Sequence, residues 1–274
     1  MHDMTPDLMR VVTIAGSDSS GGAGIQADLK TFQAFGVYGT SAITAITAQS
    51  RGGVTGVWLP PSASIAAQIA AILEDGPLQA GKTGMLATAE IVAAVAAAVG
   101  KHGLVNLVVD PVIVATSGAR LLDAGGLDAL REELIPRARC ITPNLPEAAA
   151  LLGRPVESVA DMKAAAADLC ALGCGAAVIT GGHLPGGGDL VDVLFDGAAV
   201  HELPVARQPS ADTHGTGCTF AAALASGFAL GWDLLNSVTT AQDYVARALA
   251  AAPPGKGGPL WHGIVPRRHP ARDR

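Results

Sequence analysis

The feature that most constrains the fold of this chain is a repeated alternation of short apolar strands with helices, in which glycine-rich or polar loops follow the strands. Residues 104–109 are almost uninterruptedly apolar, as expected of a central parallel strand that is covered on both faces. Helical patterns at residues 62–74 and 88–99 separate such strands. This order predicts a three-layer α/β domain with a central, mainly parallel sheet flanked by helices.

The length and composition fit one domain with a core of small side chains. The 274 residues are 49% hydrophobic but only 4% aromatic, and no linker, repeat or low-complexity segment divides them. We therefore expect a single domain over residues 1–274, with flexible tails at residues 1–10 and 267–274. The net charge of −6 argues against a broad nucleic-acid surface, so we expect no nucleic-acid partner.

The cysteines and the N-terminal segment indicate the cellular compartment in which the protein is expected. Cys140, Cys170 and Cys174 are expected to be structural thiols, because Cys170 and Cys174 have no second cluster with which to complete a zinc site. Residues 1–10 lack the basic start and apolar run of a signal peptide, and no uncharged apolar run reaches the roughly 18–20 residues that span a bilayer. We expect a cytoplasmic protein without a membrane partner.

Residues 210–220 predict an anion-binding helix N-terminus. Gly215 and Gly217 allow the backbone to approach a ligand closely, and a buried helix is expected to begin at about residues 216–219 because the residues that follow are small and apolar. The first amides of a helix have no internal partner and attract phosphate. The helix dipole would lower the pKa of the Cys218 thiol. The alternative is a tight turn into a core helix with one buried cysteine.

Two earlier loops also carry polar residues. Residues 16–24 form a glycine-rich loop between a strand and a helix, but their spacing is not the dinucleotide-binding fingerprint. Asp28 lies one turn into that helix, where it either faces the loop or complements the helix dipole as a solvated acid. Asp110 follows the apolar strand at residues 104–109, where open α/β sheets place their chemistry, unless it only caps a loop.

Later in the chain, residues 142–147 predict a loop that two prolines keep rigid. Asn144 and Glu147 would project polar groups from this loop near the same edge of the sheet. A strand at residues 176–180 is followed by Gly-Gly-His and by a loose glycine-rich turn at residues 185–188.

Six segments of the chain carry a resemblance to a known family. They are AGSDSSGGAGIQADLKT at 15–31, TGML at 83–86, DPV at 110–112, TPNLPE at 142–147, GGH at 181–183 and THGTGCT at 213–219. In this order they resemble the hydroxymethylpyrimidine/phosphomethylpyrimidine kinases of thiamine biosynthesis. The resemblance runs from about Val12 to His262, and its first and last segments are long enough to be specific.

The resemblance implies a ribokinase-like fold, ATP and magnesium as cofactors, and a homodimer. It also implies two successive reactions. ATP phosphorylates the hydroxymethyl group of 4-amino-5-hydroxymethyl-2-methylpyrimidine, and a second ATP then converts the monophosphate to the pyrophosphate. The partners would be this small pyrimidine and ATP.

The resemblance further assigns roles to residues of this chain. Four residues would bring backbone amides to the transferring phosphoryl group, and the last of them would be the base toward the acceptor hydroxyl. They are Gly215, Thr216, Gly217 and Cys218. Five residues would line the pyrimidine pocket, although Gln49 could be an ordinary strand-end amide and Met85 plain core. They are Gly16, Asp28, Gln49, Met85 and Val112.

The remaining roles concern the nucleotide and the metal. Asp110 and Glu147 would hold magnesium through water, unless both are surface acids on loops. Asn144 would order Glu147 or the triphosphate. Lys256 resembles a position near the nucleotide but could be a solvated lysine. Many relatives carry lysine where this chain has Thr180, so the Thr180 hydroxyl or Lys256 would have to replace it.

Other functions fit part of this pattern. A pyridoxal kinase on the same fold would also bind a methylated ring with a hydroxymethyl group, and Asp28 and Gln49 favour an aminopyrimidine only weakly. A non-catalytic ligand-binding sensor could keep the fold, although the intact Gly-Thr-Gly-Cys turn and the two acids speak against it. An ATP-independent oxidoreductase is disfavoured because this chain lacks the dinucleotide-binding fingerprint.

Overall fold

The computed structural model describes residues 8–50, 52–114, 118, 120–184, 190–205, 214–252 and 260–267. Lys256, the turn at residues 185–188 and most of both expected flexible tails lie outside this part of the chain. No described helix is long and apolar enough to cross a membrane.

The described strands form one nine-stranded sheet with the spatial order β3-β2-β1-β4-β5-β6-β7-β8-β9. Strands β2, β1, β4, β5, β6 and β7 run parallel to one another. At the two edges, β3 pairs antiparallel with β2, β8 with β7, and β9 with β8. The strand bounds are β1 Arg10–Asp18, β2 Tyr38–Ser50, β3 Gly53–Trp58, β4 Ala80–Thr83, β5 Leu107–Val109, β6 Cys140–Ile141, β7 Ala177–Ile179, β8 Leu190–Phe195 and β9 Val200–Val205. The predicted mainly parallel sheet is confirmed.

Helices cover both faces of the sheet and make the three predicted layers. Helices α2 to α6 pack on one face around a core that includes Ile14, Val95 and Met162. Helices α1, α7 and α8 pack on the other face around Phe32 and Phe228. The helix bounds are α1 Gly24–Ala34, α2 Ser62–Glu74, α3 Ala89–His102, α4 Ala124–Ala129, α5 Leu145–Leu152, α6 Val159–Ala171, α7 Thr216–Ala229 and α8 Leu234–Ala250.

Two local differences from the predicted elements affect the site. Strand β1 continues through Gly16 to Asp18 because a bulge after Ala15 shifts its register against β2, and bulges often re-aim side chains beside active sites. The rigid loop predicted at residues 142–147 is wrong: Asn144 caps helix α5, which begins at Leu145. Proline is compatible with the first turn of a helix because its missing N–H is not needed there.

Candidate active site

A cleft of about 400 Å³ opens at the carboxyl ends of the central strands, where the loops after β1, β4, β5 and β6 meet the N-terminus of α7. It brings together most of the site residues expected from the sequence. Those that line it are Gly16, Gln49, Met85, Asp110, Val112, Asn144, Glu147, Thr180, Gly215, Thr216, Gly217 and Cys218. Asp28 is not among the lining residues, and Lys256 is not described.

Helix α7 points its N-terminus into this cleft. Gly215 precedes the helix with a φ of 84°, a left-handed conformation that glycine adopts without strain. A side chain at this position would collide with the carbonyl oxygen of Gly22, so the glycine also allows two loops to touch. The amides of the first turn have no partner inside the helix, and they lie at the cleft wall, where an anion can accept hydrogen bonds from them.

The Cys218 thiol differs from the expectation of a lowered pKa. Burial raises its pKa to about 12, an effect that the charge of Lys82 opposes and the charges of Asp110 and Asp28 reinforce. The predicted lowering by the helix dipole is wrong, because loss of solvation outweighs it at this enclosed position. The thiol is therefore protonated at neutral pH in the ligand-free protein.

Lys82 is a site residue that the sequence reasoning missed. It lies on β4, its side chain is fully buried, and it contributes to the cleft wall. Its Nζ lies 3.1 Å from each carboxylate oxygen of Asp28 and 3.4 Å from Oδ2 of Asp110. Burial alone would lower the pKa of Lys82, but the charges of Asp28, Cys218 and Asp110 raise it above its usual range, so Lys82 is a permanent cation beneath the cleft.

Asp28 lies behind the residues that line the cleft in the ligand-free protein. Its carboxylate is fully buried, where Oδ2 accepts a hydrogen bond of 2.6 Å from the Thr13 hydroxyl and both oxygens accept from Lys82. Asp28 therefore neutralises Lys82, and its contact with a pyrimidine stays a prediction. The burial of Asp28 follows from its position one turn into α1, on the face toward the sheet.

Three buried polar atoms at the ends of neighbouring strands accept or donate no hydrogen bond among the described residues. They are Thr83 Oγ1, Asp110 Oδ2 and Thr142 Oγ1, which follow or end β4, β5 and β6 in turn. An unsatisfied buried polar atom is costly unless a ligand completes it. Asp110 and Thr142 line the cleft directly.

Glu147 completes the polar end of the cleft and is held by Asn144. The Asn144 side chain accepts from the Glu147 amide at 2.9 Å, and Glu147 Oε2 accepts from the Asn144 amide at 3.0 Å. The expected ordering of Glu147 by Asn144 thus takes the form of a capping box. Burial, and then the charge of Asp110, raise the pKa of Glu147 to about 8.

The donor set suits magnesium better than a metal that needs a protein cage. Among the described residues no cluster of three or more histidine, cysteine or acidic side chains could hold a metal ion. Two carboxylates, Asp110 and Glu147, share the cleft beside the orphaned oxygens. Magnesium is usually bound by one or two carboxylates, with water and substrate phosphates completing the shell, so these residues fit it.

A second part of the cleft, called the small end, is lined by small and apolar residues. Met85 and Val112 pack with Ala45 and Ala87 in a small cluster of their own. A Cβ on Gly16 would lie 3.2 Å from the Met85 sulfur, so a side chain there would narrow this end. Gln49, near the end of β2, is the polar residue of the predicted pyrimidine set at this end.

Asp18 and His214 join the glycine-rich loop after β1 to the turn before α7. Asp18 Oδ2 accepts from the Ala23 amide at 2.8 Å and from the Ser20 hydroxyl at 2.9 Å, and it lies 3.1 Å from His214 Nε2. Burial raises the pKa of Asp18, but these contacts outweigh it and lower the pKa to about 2. Asp18 is therefore ionised. Sequence reasoning did not assign either residue, although both lie within the segments that carry the resemblance.

Thr180 lies where β7 ends, beside the capped start of α5. Its amide donates to the carbonyl oxygen of Pro143 at 3.0 Å, and its side chain contributes to the cleft wall. Asp192 fixes the turn that follows, because its carboxylate accepts from the Gly181 amide at 2.8 Å. Which group stands in for the lysine of other relatives stays a prediction, since Lys256 is outside the described residues.

Comparisons with known proteins agree with this geometry. The sequence model of the phosphomethylpyrimidine kinase family matches residues 18–261. A hydroxymethylpyrimidine/phosphomethylpyrimidine kinase of Streptomyces coelicolor is 46% identical over 266 residues, which cover 97% of this chain and 95% of that protein. A thiamine biosynthesis bifunctional protein of Geobacter sulfurreducens is 47% identical over 92% of this chain, which spans 52% of that protein's length.

A solved structure shares the fold over nearly the whole chain. The ADP complex of Bacillus subtilis pyridoxal kinase superposes with a TM-score of 0.87 at 40% identity, and the match covers 94% of this chain and 98% of that one. The likeness therefore extends from the sequence to the three-layer architecture. This chain belongs to the phosphomethylpyrimidine kinase family.

Proposed function

We propose that this chain is an ATP-dependent kinase that phosphorylates 4-amino-5-hydroxymethyl-2-methylpyrimidine to its monophosphate and then to the pyrophosphate, in thiamine biosynthesis. One observation carries the proposal: a single cleft combines the N-terminus of α7 and Cys218 with a small apolar end and with two carboxylates at the other end. The names of the Streptomyces and Geobacter relatives support the same substrate class.

The small end of the cleft would bind the pyrimidine. Met85 and Val112 offer apolar surface to the ring and its methyl group, and Gly16 leaves room for them. Gln49 offers an amide to the polar edge of the ring. This arrangement would direct the hydroxymethyl group toward the start of α7.

Phosphoryl transfer depends on positioning and on neutralising charge more than on covalent chemistry. The amides of Gly215, Thr216, Gly217 and Cys218 would accept the transferring group as hydrogen-bond donors. Cys218 would take the proton of the acceptor hydroxyl in the first reaction. With its pKa raised to about 12 in the ligand-free protein, the thiol must first release its own proton to the solvent of the cleft, which the partly exposed Cys218 contacts, and Lys82 is the neighbouring cation that favours the thiolate.

ATP would lie toward the end of the cleft that holds Asn144, Glu147 and Thr180. The ADP bound to the Bacillus subtilis structural relative supports ATP as the donor. Asp110 and Glu147 would hold magnesium, which supplies charge neutralisation for the phosphate oxygens when it is bound. Lys256 stays a predicted nucleotide contact.

We propose a homodimer that forms through the edge hairpin of β2 and β3. This hairpin and the residue after it expose Ile46 (53%), Trp58 (60%) and Leu59 (43%), together with Val57. Exposed apolar side chains grouped on one edge hairpin can mark an interface. Trp58→Asp should shift the mass in solution from dimer to monomer, whereas Val105→Asp, on an exposed side chain elsewhere, should not. A monomeric parent protein would contradict the proposal.

A cytoplasmic location is the remaining part of the proposal. All four cysteines are free thiols, although Cys170 and Cys174 have their sulfur atoms only 3.8 Å apart. Such thiols persist in a reducing compartment.

The deciding experiment follows products by mass after incubation with ATP and magnesium. Hydroxymethylpyrimidine and pyridoxal are offered in separate reactions. We expect the pyrimidine to give first a monophosphate and then a pyrophosphate. No turnover of either ring would refute the kinase proposal and favour a ligand-binding sensor.

Pyridoxal phosphorylation is the second candidate function. The structural likeness to Bacillus subtilis pyridoxal kinase is the observation that favours it. If only pyridoxal is phosphorylated in the assay above, the phosphate site stands but the assignment of Gln49 to an aminopyrimidine is wrong.

A further inference from the structure

A chain of close polar contacts runs along the rim of the small end of the cleft. His214 Nε2 lies 3.1 Å from Asp18 Oδ2 and 3.4 Å from the amide atom of Gln49 that is placed as Nε2. The atom placed as Gln49 Oε1 lies 3.2 Å from Thr47 Oγ1, which is also 2.8 Å from the carbonyl oxygen of Ser17. The contacts of these neighbours favour the opposite assignment of the two amide atoms. The oxygen and nitrogen of an amide have nearly the same shape, so these neighbours decide which atom faces which way.

Thr47 determines one end of the amide. A hydroxyl carries a single proton, and the carbonyl oxygen of Ser17 can only accept one. The contact of 2.8 Å to Ser17 is the shorter of the two, so it takes the Thr47 proton. Thr47 then offers only a lone pair to Gln49, and the amide must present its N–H group on this side.

His214 determines the other end independently. Asp18 is ionised and can only accept, so His214 Nε2 carries a proton toward it whether the imidazole is neutral or charged. A protonated Nε2 repels an amide N–H and attracts an amide oxygen. The carbonyl of the Gln49 amide therefore faces His214, which is the orientation that Thr47 also requires.

The position of the imidazole is itself constrained. A Cβ on Gly22 would lie 2.8 Å from the His214 ring, so the glycine-rich loop packs directly against it. His214 also immediately precedes Gly215, the residue before α7. The ring is thus held between the loop after β1 and the helix whose N-terminus faces the phosphoryl group.

The fixed amide keeps one N–H and one lone pair for a ligand. A 4-aminopyrimidine presents an amino donor beside a ring-nitrogen acceptor, an edge that a glutamine amide can bind with two hydrogen bonds, as it does on adenine. We infer that Asp18 and His214 are positioning residues that fix the Gln49 amide and thereby select a ring with an amino group beside a ring nitrogen. This inference rests on the proposed pyrimidine kinase function.

The test compares two ligands that differ only in this edge. Dissociation constants are measured by calorimetry, without ATP, for 4-amino-5-hydroxymethyl-2-methylpyrimidine and for its analogue without the 4-amino group. For the parent protein we expect the amino compound to bind at least about 10-fold more tightly, as two oriented hydrogen bonds predict. His214→Phe keeps a flat ring but removes the N–H, and should bring the ratio close to one mainly by weakening the amino compound.

A matched control separates orientation from support of the backbone. Ser19 contacts the main chain of Gln49, where its hydroxyl donates to the carbonyl oxygen at 2.7 Å and accepts from the amide at 2.8 Å. Ser19→Ala should leave the ratio of the two dissociation constants unchanged. Thr47→Val should lower it, by less than His214→Phe does, because one determinant remains.

Nitrogen NMR of the imidazoles provides a second readout. The His214 resonance, identified by its loss in His214→Phe, should show a protonated Nε2 in the parent protein, and Asp18→Asn should weaken that preference. An unprotonated Nε2 in the parent, or equal losses of affinity for both ligands in His214→Phe, would overturn the inference. Absence of kinase activity with intact selectivity in binding would refute the proposed function and leave this inference standing.

Discussion

The two ends of the cleft differ in how their polar atoms are satisfied. At the paired end, defined by Asp18, Thr47, Gln49 and His214, each side chain contacts another polar group of the protein. At the open end, defined by the side-chain oxygens of Thr83, Asp110 and Thr142, no hydrogen-bond partner is found among the described residues, and Asp110 Oδ2 has only the ion pair with Lys82 at 3.4 Å. The paired end is organised before a ligand arrives, whereas the open end keeps its polar atoms for the ligand.

This difference suits the two tasks of the proposed reaction. A ring must be recognised in one orientation, so the groups that bind it gain from being fixed in advance. Phosphates and a metal bring their own charge and water, so the residues that meet them can stay unsatisfied until binding. Lys82 is the buried cation beneath the cleft and reduces the repulsion between the buried carboxylates of Asp28 and Asp110.

The largest effect should come from removing Lys82. Lys82→Met leaves Asp28 and Asp110 buried without their cation, and loss of one member of a buried ion pair costs about 3–5 kcal/mol. Urea denaturation measures the change. Lys163→Met, which breaks the exposed pair with Glu202, should cost less than about 1 kcal/mol.

A double variant isolates the cause of this loss. Asp28→Asn combined with Lys82→Met removes one of the two stranded charges and should recover part of the stability. If the double variant is no more stable than Lys82→Met alone, the loss reflects packing of the lysine stem and the electrostatic account of Lys82 is wrong.

The next effect concerns Cys218, where the two ends meet. In the second reaction the acceptor is already an anionic phosphate and needs no strong base, so Cys218→Ala should slow the first phosphorylation about 100-fold and leave the second within a few-fold. Single-turnover assays with the pyrimidine and with its monophosphate give the two rates. Equal losses in both reactions would make Cys218 a positioning residue instead of a base.

Sequence reasoning succeeded where a local pattern determines the structure. The alternation of strands and helices predicts the layers, and the rule that loops after parallel strands share an edge brings Asp110 and Glu147 to one cleft. The start of α7 could be predicted from its glycines and the small apolar residues after them. The detailed roles came from the resemblance alone.

Sequence reasoning failed where interacting residues are far apart in the sequence and where burial determines the pKa of a side chain. Lys82 lies 54 residues from Asp28, so nothing near it in the sequence indicates an ion pair. The local sequence indicates a helix dipole that would lower the pKa of Cys218. Burial, which the local sequence does not show, has the larger effect and raises this pKa. The helix that begins after Asn144 had a readable signal, since Asn followed three residues later by Glu is a capping box, yet its prolines suggested a loop.

A decrease in pH should weaken the support that His262 gives to helix α7. His262 Nε2 lies 2.9 Å from the Thr219 hydroxyl in the first turn of α7, and burial lowers the pKa of His262 from 6.5 to about 4. Because His262 is protonated less readily in the folded state than in the unfolded state, its contribution to stability is fully present above pH 6.5. This contribution is lost as the pH decreases toward 4. Lowering the pH from 7 to 5 should therefore reduce the free energy of unfolding by about 2 kcal/mol through this histidine.

Urea denaturation at both pH values tests this contribution. His262→Gln cannot be protonated and should lose less stability than the parent between pH 7 and pH 5. Identical pH dependence in the two proteins would show that other groups account for the loss and that His262 does not support α7 in the way its contact with Thr219 suggests.

The smallest expected effect gives the sharpest test of the comparison between the paired end and the open end, because the same substitution is made at both. Thr47 and Thr142 are both buried, but Thr47 Oγ1 donates to the carbonyl oxygen of Ser17 whereas Thr142 Oγ1 has no hydrogen-bond partner among the described residues. Valine replaces the hydroxyl with a methyl group of similar size. Thr47→Val should lower the free energy of unfolding of the ligand-free protein by about 1 kcal/mol, and Thr142→Val should raise it by a similar amount.

The essential outcome is that Thr47→Val and Thr142→Val change the free energy of unfolding in opposite directions. Such opposite changes would show that hydrogen bonds within the protein stabilise the end proposed for the ring. They would also show that unsatisfied polar atoms reduce stability at the end proposed for magnesium and phosphate. Thr83→Val, at the end of β4, should follow Thr142→Val. If all three variants lose stability alike, bound water satisfies the open end in the ligand-free protein, and the two ends do not differ in the way the hydrogen bonds suggest.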